Sequence, residues 1–286
     1  MTDGHSINGI PTRELGRTDV RVTILGVGGY HAGVPKDART GIRIIRTAID
    51  EGINFLDNAW CYHKGRSEEI MGRALRDGYR DRVFLMTKNH GRDAATFRRQ
   101  LDESLRRLGT DHLDLVQFHD VRDESDCESL LGCGATEAAL EARERGKVRF
   151  IGFTGHTDPA IHQRMLARDF AWDTVQMPIN LLDASYRSFL RQVAPMLRPR
   201  GIGLVGMKSL ASGRLLKTGV AARDAIRFSL SQPVDVLVSG MDSLGVLRRN
   251  LDTARTFEPM SPEESQSLLA RVASRAADGH LEDYKR

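Results

Sequence analysis

Asp57, Lys88 and His119 each end a short apolar run, and Tyr62 follows Asp57 by five residues. A carboxylate, an ammonium, an imidazole and a phenol can together perform acid–base chemistry, provided that they meet. Each has a plainer use on its own. An Asp at a strand end commonly caps a helix or pairs at the surface, a Lys there is commonly solvated, and a His packs or bonds backbone. The argument for chemistry is the coincidence. Three ionisable residues of three kinds end consecutive runs, so parallel strands laid side by side bring them to one mouth, with Tyr62 in the loop beside them.

The elements that must position them repeat. Apolar runs occur near Thr23–Gly28, Ile53–Asp57, Val83–Lys88, Leu113–His119, Val148–Thr154, Thr174–Ile179, Gly201–Lys208 and Val234–Gly240. Their starts lie roughly thirty residues apart, the length of a βαβ unit. The runs are near-continuous rather than alternating, which predicts parallel strands covered on both faces. Amphipathic stretches lie between them; Phe97, Leu101, Leu105 and Leu108 form one apolar stripe. Gly52, Gly109, Gly146 and Gly201 follow helical patterns, as left-handed helix terminators do. Strict alternation of eight units predicts an α/β fold, a closed (β/α)8 TIM barrel. Glu14–Val22 reads as a hairpin at the start, and Ser261-Pro-Glu-Glu264 as a capping box opening an extra C-terminal helix. No linker is visible, so residues 1–286 read as a single barrel domain.

Composition narrows the class. Of 286 residues, 40% are hydrophobic and 28% charged, which sets disorder and collagen aside. No apolar run reaches the ~18 residues of a membrane span, and the N-terminal MTDGHSING shows no leader pattern. Lys and Arg exceed Asp and Glu by 42 to 38, a balance that suits a phosphate-bearing ligand and gives no argument for nucleic acid. Three cysteines make no disulfide framework. These features lead us to expect a cytoplasmic protein with no membrane or nucleic-acid partner.

The stretch Asp57-Asn-Ala-Trp-Cys-Tyr62-His-Lys-Gly65-Arg-Ser67-Glu68 resembles the aldo-keto reductase motif, in which an Asp, a Tyr five residues on and a Gly-x-Ser-Glu recur. Lys88 in Phe-Leu-Met-Thr-Lys and His119 in Asp-Leu-Val-Gln-Phe-His complete that family's tetrad in order. The resemblance spans nearly the whole chain. It implies a nicotinamide-dependent oxidoreductase that reduces a small aldehyde or ketone to an alcohol, or the reverse. Hydride delivery leaves charge on the carbonyl oxygen, which needs a proton at once. Tyr62 is the implied acid, with Lys88 lowering its pKa from about 10. Asp57 then holds Lys88, and His119 orients the carbonyl. A cofactor-binding redox sensor or accessory barrel with little turnover is the alternative, one that has no need of Tyr62 beside Lys88.

Phosphate sites in barrels use the loops after strands 7 and 8. Here these carry Lys208, Gly213 and Arg214, then Gly240 and Asp242. By resemblance, Thr154 and Gln176 hold the nicotinamide carboxamide, Met207 replaces a stacking aromatic, and Asn250 lies near the adenine. Members that prefer the 2′-phosphate carry cations where Gly240 and Val246 stand; Arg248 and Arg249 either substitute for them or lie on a solvated helix face, the commoner outcome for such residues. The family leans to NADP(H), and NAD(H) stays open. Tyr30, His31, Trp60 and His90 form a candidate substrate rim. Asp120–Gly134 reads as a long polar loop, a lid or a solvated segment. Cys61, His63 and His31 fit no metal-ligand spacing, so no metal is expected. The basic positions Arg98, Arg99, Arg106 and Arg107 read as solvated helix faces.

Overall fold

The computed structural model describes residues 5–35 and 37–286. Residues 1–4, part of the stretch without a leader pattern, lie outside the described residues. The chain opens with a three-stranded antiparallel sheet of β1 (Ser6–Ile7), β2 (Ile10–Glu14) and β3 (Arg21–Thr23). The expected hairpin is there, with Glu14 opposite Arg21 and Arg13 opposite Val22. It is larger than Glu14–Val22, because β1 also pairs with β2.

Eight parallel strands follow: β4 (Leu25–Gly28), β5 (Phe55–Asp57), β6 (Phe84–Asn89), β7 (Leu113–Phe118), β8 (Val148–Thr154), β9 (Thr174–Pro178), β10 (Gly203–Met207) and β11 (Val236–Gly240). Each pairs with the next, and β11 pairs with β4, so the sheet closes into a barrel with helices between successive strands. The (β/α)8 architecture expected from the sequence is the one observed.

Period-two alternation decides which side chains reach the barrel axis. Phe55, Phe84, Met86, Leu115, Val205, Val236 and Val238 form the interior cluster, and Leu15 and Val22 of the opening sheet plug its lower end. The residues between them, such as Leu56, Leu85, Val116, Ile151 and Leu237, face the helices in the main core. Asp235 ties plug to barrel by accepting from the amides of Gly16 at 3.1 Å and Leu204 at 2.9 Å. Stepping up the interior face from Phe55 reaches Asp57; stepping from Phe84 and Met86 reaches Lys88. The same parity that fills the lower barrel with phenylalanine and leucine therefore delivers polar groups to its upper mouth.

Local signals set the helix ends. Asp93 caps the helix Ala94–Leu108 by accepting from the Thr96 amide at 2.8 Å, and Gly109 ends it at φ 67°. The helix buries Phe97, Leu101, Leu105 and Leu108, each worth roughly 1.5–3 kcal/mol. The Ser261 capping box forms with both of its hydrogen bonds and opens the helix Pro262–Ala276.

Two sequence expectations are corrected. Asp120–Gly134 is not a loop: Glu124–Gly132 is helical, capped by Asp123, and buries Cys127 and Leu130. Arg107 is not on a solvated face. Its side chain is 17% exposed, donates to the Trp60 carbonyl at 3.0 Å, and pairs with the fully buried Glu68 at 3.2 Å. Arg98, Arg99 and Arg106 are exposed as expected.

Candidate active site

The tetrad residues meet at the mouth. Lys88 is buried, pairs with Asp57, and donates to the Asn58 carbonyl at 2.9 Å. Its ammonium stands 3.5 Å from the Tyr62 hydroxyl. The Tyr62 and His119 rings meet edge-on with centroids 5.8 Å apart. A phenol, an ammonium, a carboxylate and an imidazole thus share one pocket at the ends of β5, β6 and β7 and in the loop after β5.

The loop that carries Tyr62 is held from behind. His63, Lys64 and Gly65 take φ of 50°, 57° and 92° in succession. Non-glycine residues occupy that region at a cost of about 1–2 kcal/mol each, so the surroundings must enforce it. Ser67 donates to the Gly29 carbonyl at 2.6 Å, and Glu68 accepts from Thr87 at 2.7 Å and from Arg107. A side chain at Gly65 would collide with the Arg107 guanidinium at 2.5 Å. The Gly-x-Ser-Glu segment is therefore a brace, which the motif alone does not reveal.

Electrostatics correct one expectation. Burial, then the Asp57 charge, hold the Tyr62 phenol well above its ordinary value of 10, so Lys88 does not make it easy to ionise here. Desolvation outweighs a cation whose charge is already matched by Asp57. The same burial lowers Lys88 despite Asp57, and pushes His119 well below 6.5, with Lys88 adding to the effect. At neutral pH the phenol therefore holds its proton and the imidazole is uncharged.

Gln176 sits against Asp57, donating to Oδ2 at 2.6 Å. Its own Oε1 is buried and has no partner among the described residues. An orphaned acceptor at this place fits the primary amide of a nicotinamide, which would donate to it. Thr154, buried at the end of β8, lies beside it in register, and Met207 is half-buried at the end of β10.

Other cofactor candidates are engaged within the protein. Gly213, at φ 85°, spends its amide on the Leu210 carbonyl at 2.8 Å. Arg214 pairs with Asp283, and Lys208 lies 4.7 Å from the Tyr284 ring. Gly240 packs on the His31 ring, where a side chain would collide at 2.2 Å; Asp242 is exposed and acts electrostatically on His31. Asn250 is buried and donates to Ser239 at 3.1 Å. Arg248 and Arg249 are exposed on the helix Leu244–Arg255.

Of the rim residues, Tyr30 is 48% exposed with its ring edge-on to Tyr62 at 5.3 Å. His90 meets His119 at 2.9 Å between ring nitrogens. Trp60 is half-buried, lies edge-on to His90 and donates to Glu103 at 2.7 Å. The sequence reading missed the C-terminal tail altogether. Lys285 is fully buried and bonds Asp183 at 2.7 Å and Glu282 at 2.9 Å, while Tyr284 takes a bond from Asn180 at 3.1 Å and stacks edge-on to His156. The string Glu-Asp-Tyr-Lys-Arg gives no apolar signal that would have shown it.

A closed parallel barrel with its ionisable groups gathered at the C-terminal ends of the strands has the layout of a barrel enzyme. The Aldo/keto reductase family model matches residues 24–275, and the chain belongs to that family. It is an oxidoreductase of a family that uses nicotinamide cofactors. It is 33% identical over 245 residues to the uncharacterized oxidoreductase YrpG of Bacillus subtilis, covering 76% of this chain and 72% of that one. It is 26% identical over 283 residues to L-glyceraldehyde 3-phosphate reductase of Escherichia coli K12, covering 92% and 79%. In fold it resembles the holo form of aldo-keto reductase AKR11C1 from Bacillus halodurans, with a TM-score of 0.76, 22% identity, and coverage of 97% and 100%. Among the described residues no helix is long and apolar enough to cross a membrane.

Proposed function

We propose that this enzyme interconverts a small aldehyde or ketone and its alcohol, with Tyr62 as the proton donor to the carbonyl oxygen. The supporting observation is the Tyr62 hydroxyl held 3.5 Å from the Lys88 ammonium and beside the His119 ring. Bound nicotinamide supplies or accepts the hydride. Asp57 and the Asn58 carbonyl keep Lys88 charged and aimed at the hydroxyl. An uncharged His119 donates a hydrogen bond to the carbonyl without competing as an acid. Gln176, with its free Oε1, would hold the carboxamide of the nicotinamide. Tyr30 and His90 border the space where the carbonyl substituents lie, and a relative that reduces L-glyceraldehyde 3-phosphate by name supports a small substrate.

The cofactor we propose is NADPH. Arg248 and Arg249 stand exposed in the second turn of the helix after β11, where their guanidinium groups can meet a 2′-phosphate. The decisive experiment is Tyr62→Phe. The variant should bind NADPH like the parent and reduce none of a panel of small aldehydes and ketones; an active Phe variant removes Tyr62 from the mechanism.

A further inference from the structure

The fold gathers two further soft ligands around the catalytic His119, a grouping that hydride transfer by itself does not explain. Cys61, the residue before Tyr62, sits with His90 after β6 and His119 after β7. The Cys61 sulfur is 3.7 Å from His119 Nδ1, and the same nitrogen is 2.9 Å from His90 Nε2. All three ligand atoms lie within 4.8 Å of one another. A tetrahedral Zn²⁺, with Zn–N near 2.0 Å and Zn–S near 2.3 Å, places its nitrogens about 3.3 Å apart and sulfur about 3.6 Å from nitrogen. The two edges at His119, 2.9 and 3.7 Å, lie close to those values, and the third is within 4.8 Å.

We propose that Cys61, His90 and His119 form a Zn²⁺ site at the barrel mouth, with a fourth position left to water. Thiolate and imidazole are the donors that zinc favours, and three protein ligands plus water is a common arrangement for it. A groove of about 470 Å³ reaches His90 and is bordered by Asp120, Asp123 and Asp126 together with Arg92 and Arg122. Arg92 pairs with Asp126 and Arg122 with Asp120, so these charges cancel and Asp123 supplies the excess negative charge of the groove; Lys88 is paired with Asp57.

Proton balance is simple. As zinc ligands, both imidazoles bind as neutral rings, through one nitrogen each. The proton now shared between His90 and His119 moves to an outer ring nitrogen, and the Cys61 thiol releases its proton to solvent as the S–Zn bond forms. The ion then holds His119 through Nδ1 and fixes the ring beside Tyr62.

The test uses the full chain stripped of metal by a chelator, without dinucleotide. Titration with Co²⁺ should saturate at one equivalent with a thiolate-to-cobalt charge-transfer band, which Zn²⁺ then displaces. Cys61→Ser should lose the band, and Cys61→Ser and His90→Gln should each weaken Zn²⁺ by more than the roughly 10–100-fold cost of losing an outer partner. Absence of saturable binding, or affinity unchanged by either substitution, overturns the site. These readouts need no turnover, so their failure is distinguishable from failure of the reductase reading. On that reading, Zn²⁺ at saturation should slow carbonyl reduction in the parent; unaltered turnover would overturn the claim that the ion immobilises His119.

Discussion

The Gln176 amide nitrogen is bound at 2.6 Å to Asp57, 119 residues away in sequence, while its oxygen stands buried with no partner among the described residues. One side chain thus connects the ion pair under Tyr62 to the place where the cofactor amide belongs.

Replacing Gln176 with Leu removes both the acceptor and the strut. Loss of one hydrogen bond to a buried partner costs about 1–3 kcal/mol. We expect the dissociation constant for NADPH to rise by about one to two orders of magnitude in a fluorescence titration. An unchanged constant would exclude the carboxamide assignment.

Lys88→Met leaves the Asp57 charge buried without its partner. Breaking such a pair costs roughly 3–5 kcal/mol, whereas removing both charges is often neutral. Urea denaturation should therefore show Lys88→Met strongly destabilised and the double variant Asp57→Asn/Lys88→Met substantially recovered. Both should be inactive. A recovered fold with recovered turnover would contradict the role given to Lys88.

Arg214 spends its guanidinium on Asp283, a pair whose members are 37% and 53% exposed. Exposed pairs are worth about 1 kcal/mol or less. If Arg214 serves the dinucleotide phosphates, Asp283→Asn frees it, and affinity for NADPH should rise by up to about fivefold. No change, measured at low salt, would separate Arg214 from the cofactor.

His162 is buried against Phe153 and Phe189, and burial lowers its pKa from 6.5 to about 4. Between those values the unfolded chain binds a proton that the folded chain does not, so stability falls as pH drops from 6.5 towards 4. Carried through, this one group costs roughly 3 kcal/mol at acid pH. His162→Leu should flatten the acid limb of the stability profile by that amount; a limb of unchanged slope would place the acid sensitivity elsewhere.

Those parts of the site that obey a period were legible in the sequence. Regular strand spacing and the rule that barrel chemistry sits at the strand ends place Asp57, Lys88 and His119 together from the sequence. The misread parts lack such a pattern. Glu124–Gly132 carries few buried anchors, chiefly Cys127 and Leu130, in an acidic string, so its composition resembles a loop. Lys285 reads as solvent-exposed, yet its partner Asp183 lies 102 residues back. Cys61, His90 and His119 come together only because three strand ends do. The phenol's pKa was misjudged because a sequence shows a neighbouring cation but not the depth at which both lie.

Arg107 belongs to the outer helical ring, yet it grips the backbone of Trp60 and the Glu68 carboxylate behind the Tyr62 loop. Efforts to harden this enzyme by redesigning its outer shell would target that arginine among the first, alongside its exposed neighbours. Exchanging it would leave every pocket-lining atom in the chemical formula intact while loosening the floor on which the reacting phenol stands. Such a variant would be recorded as a distant, unexplained loss of rate, although the cause is a direct mechanical link from the rim of the molecule to its working centre.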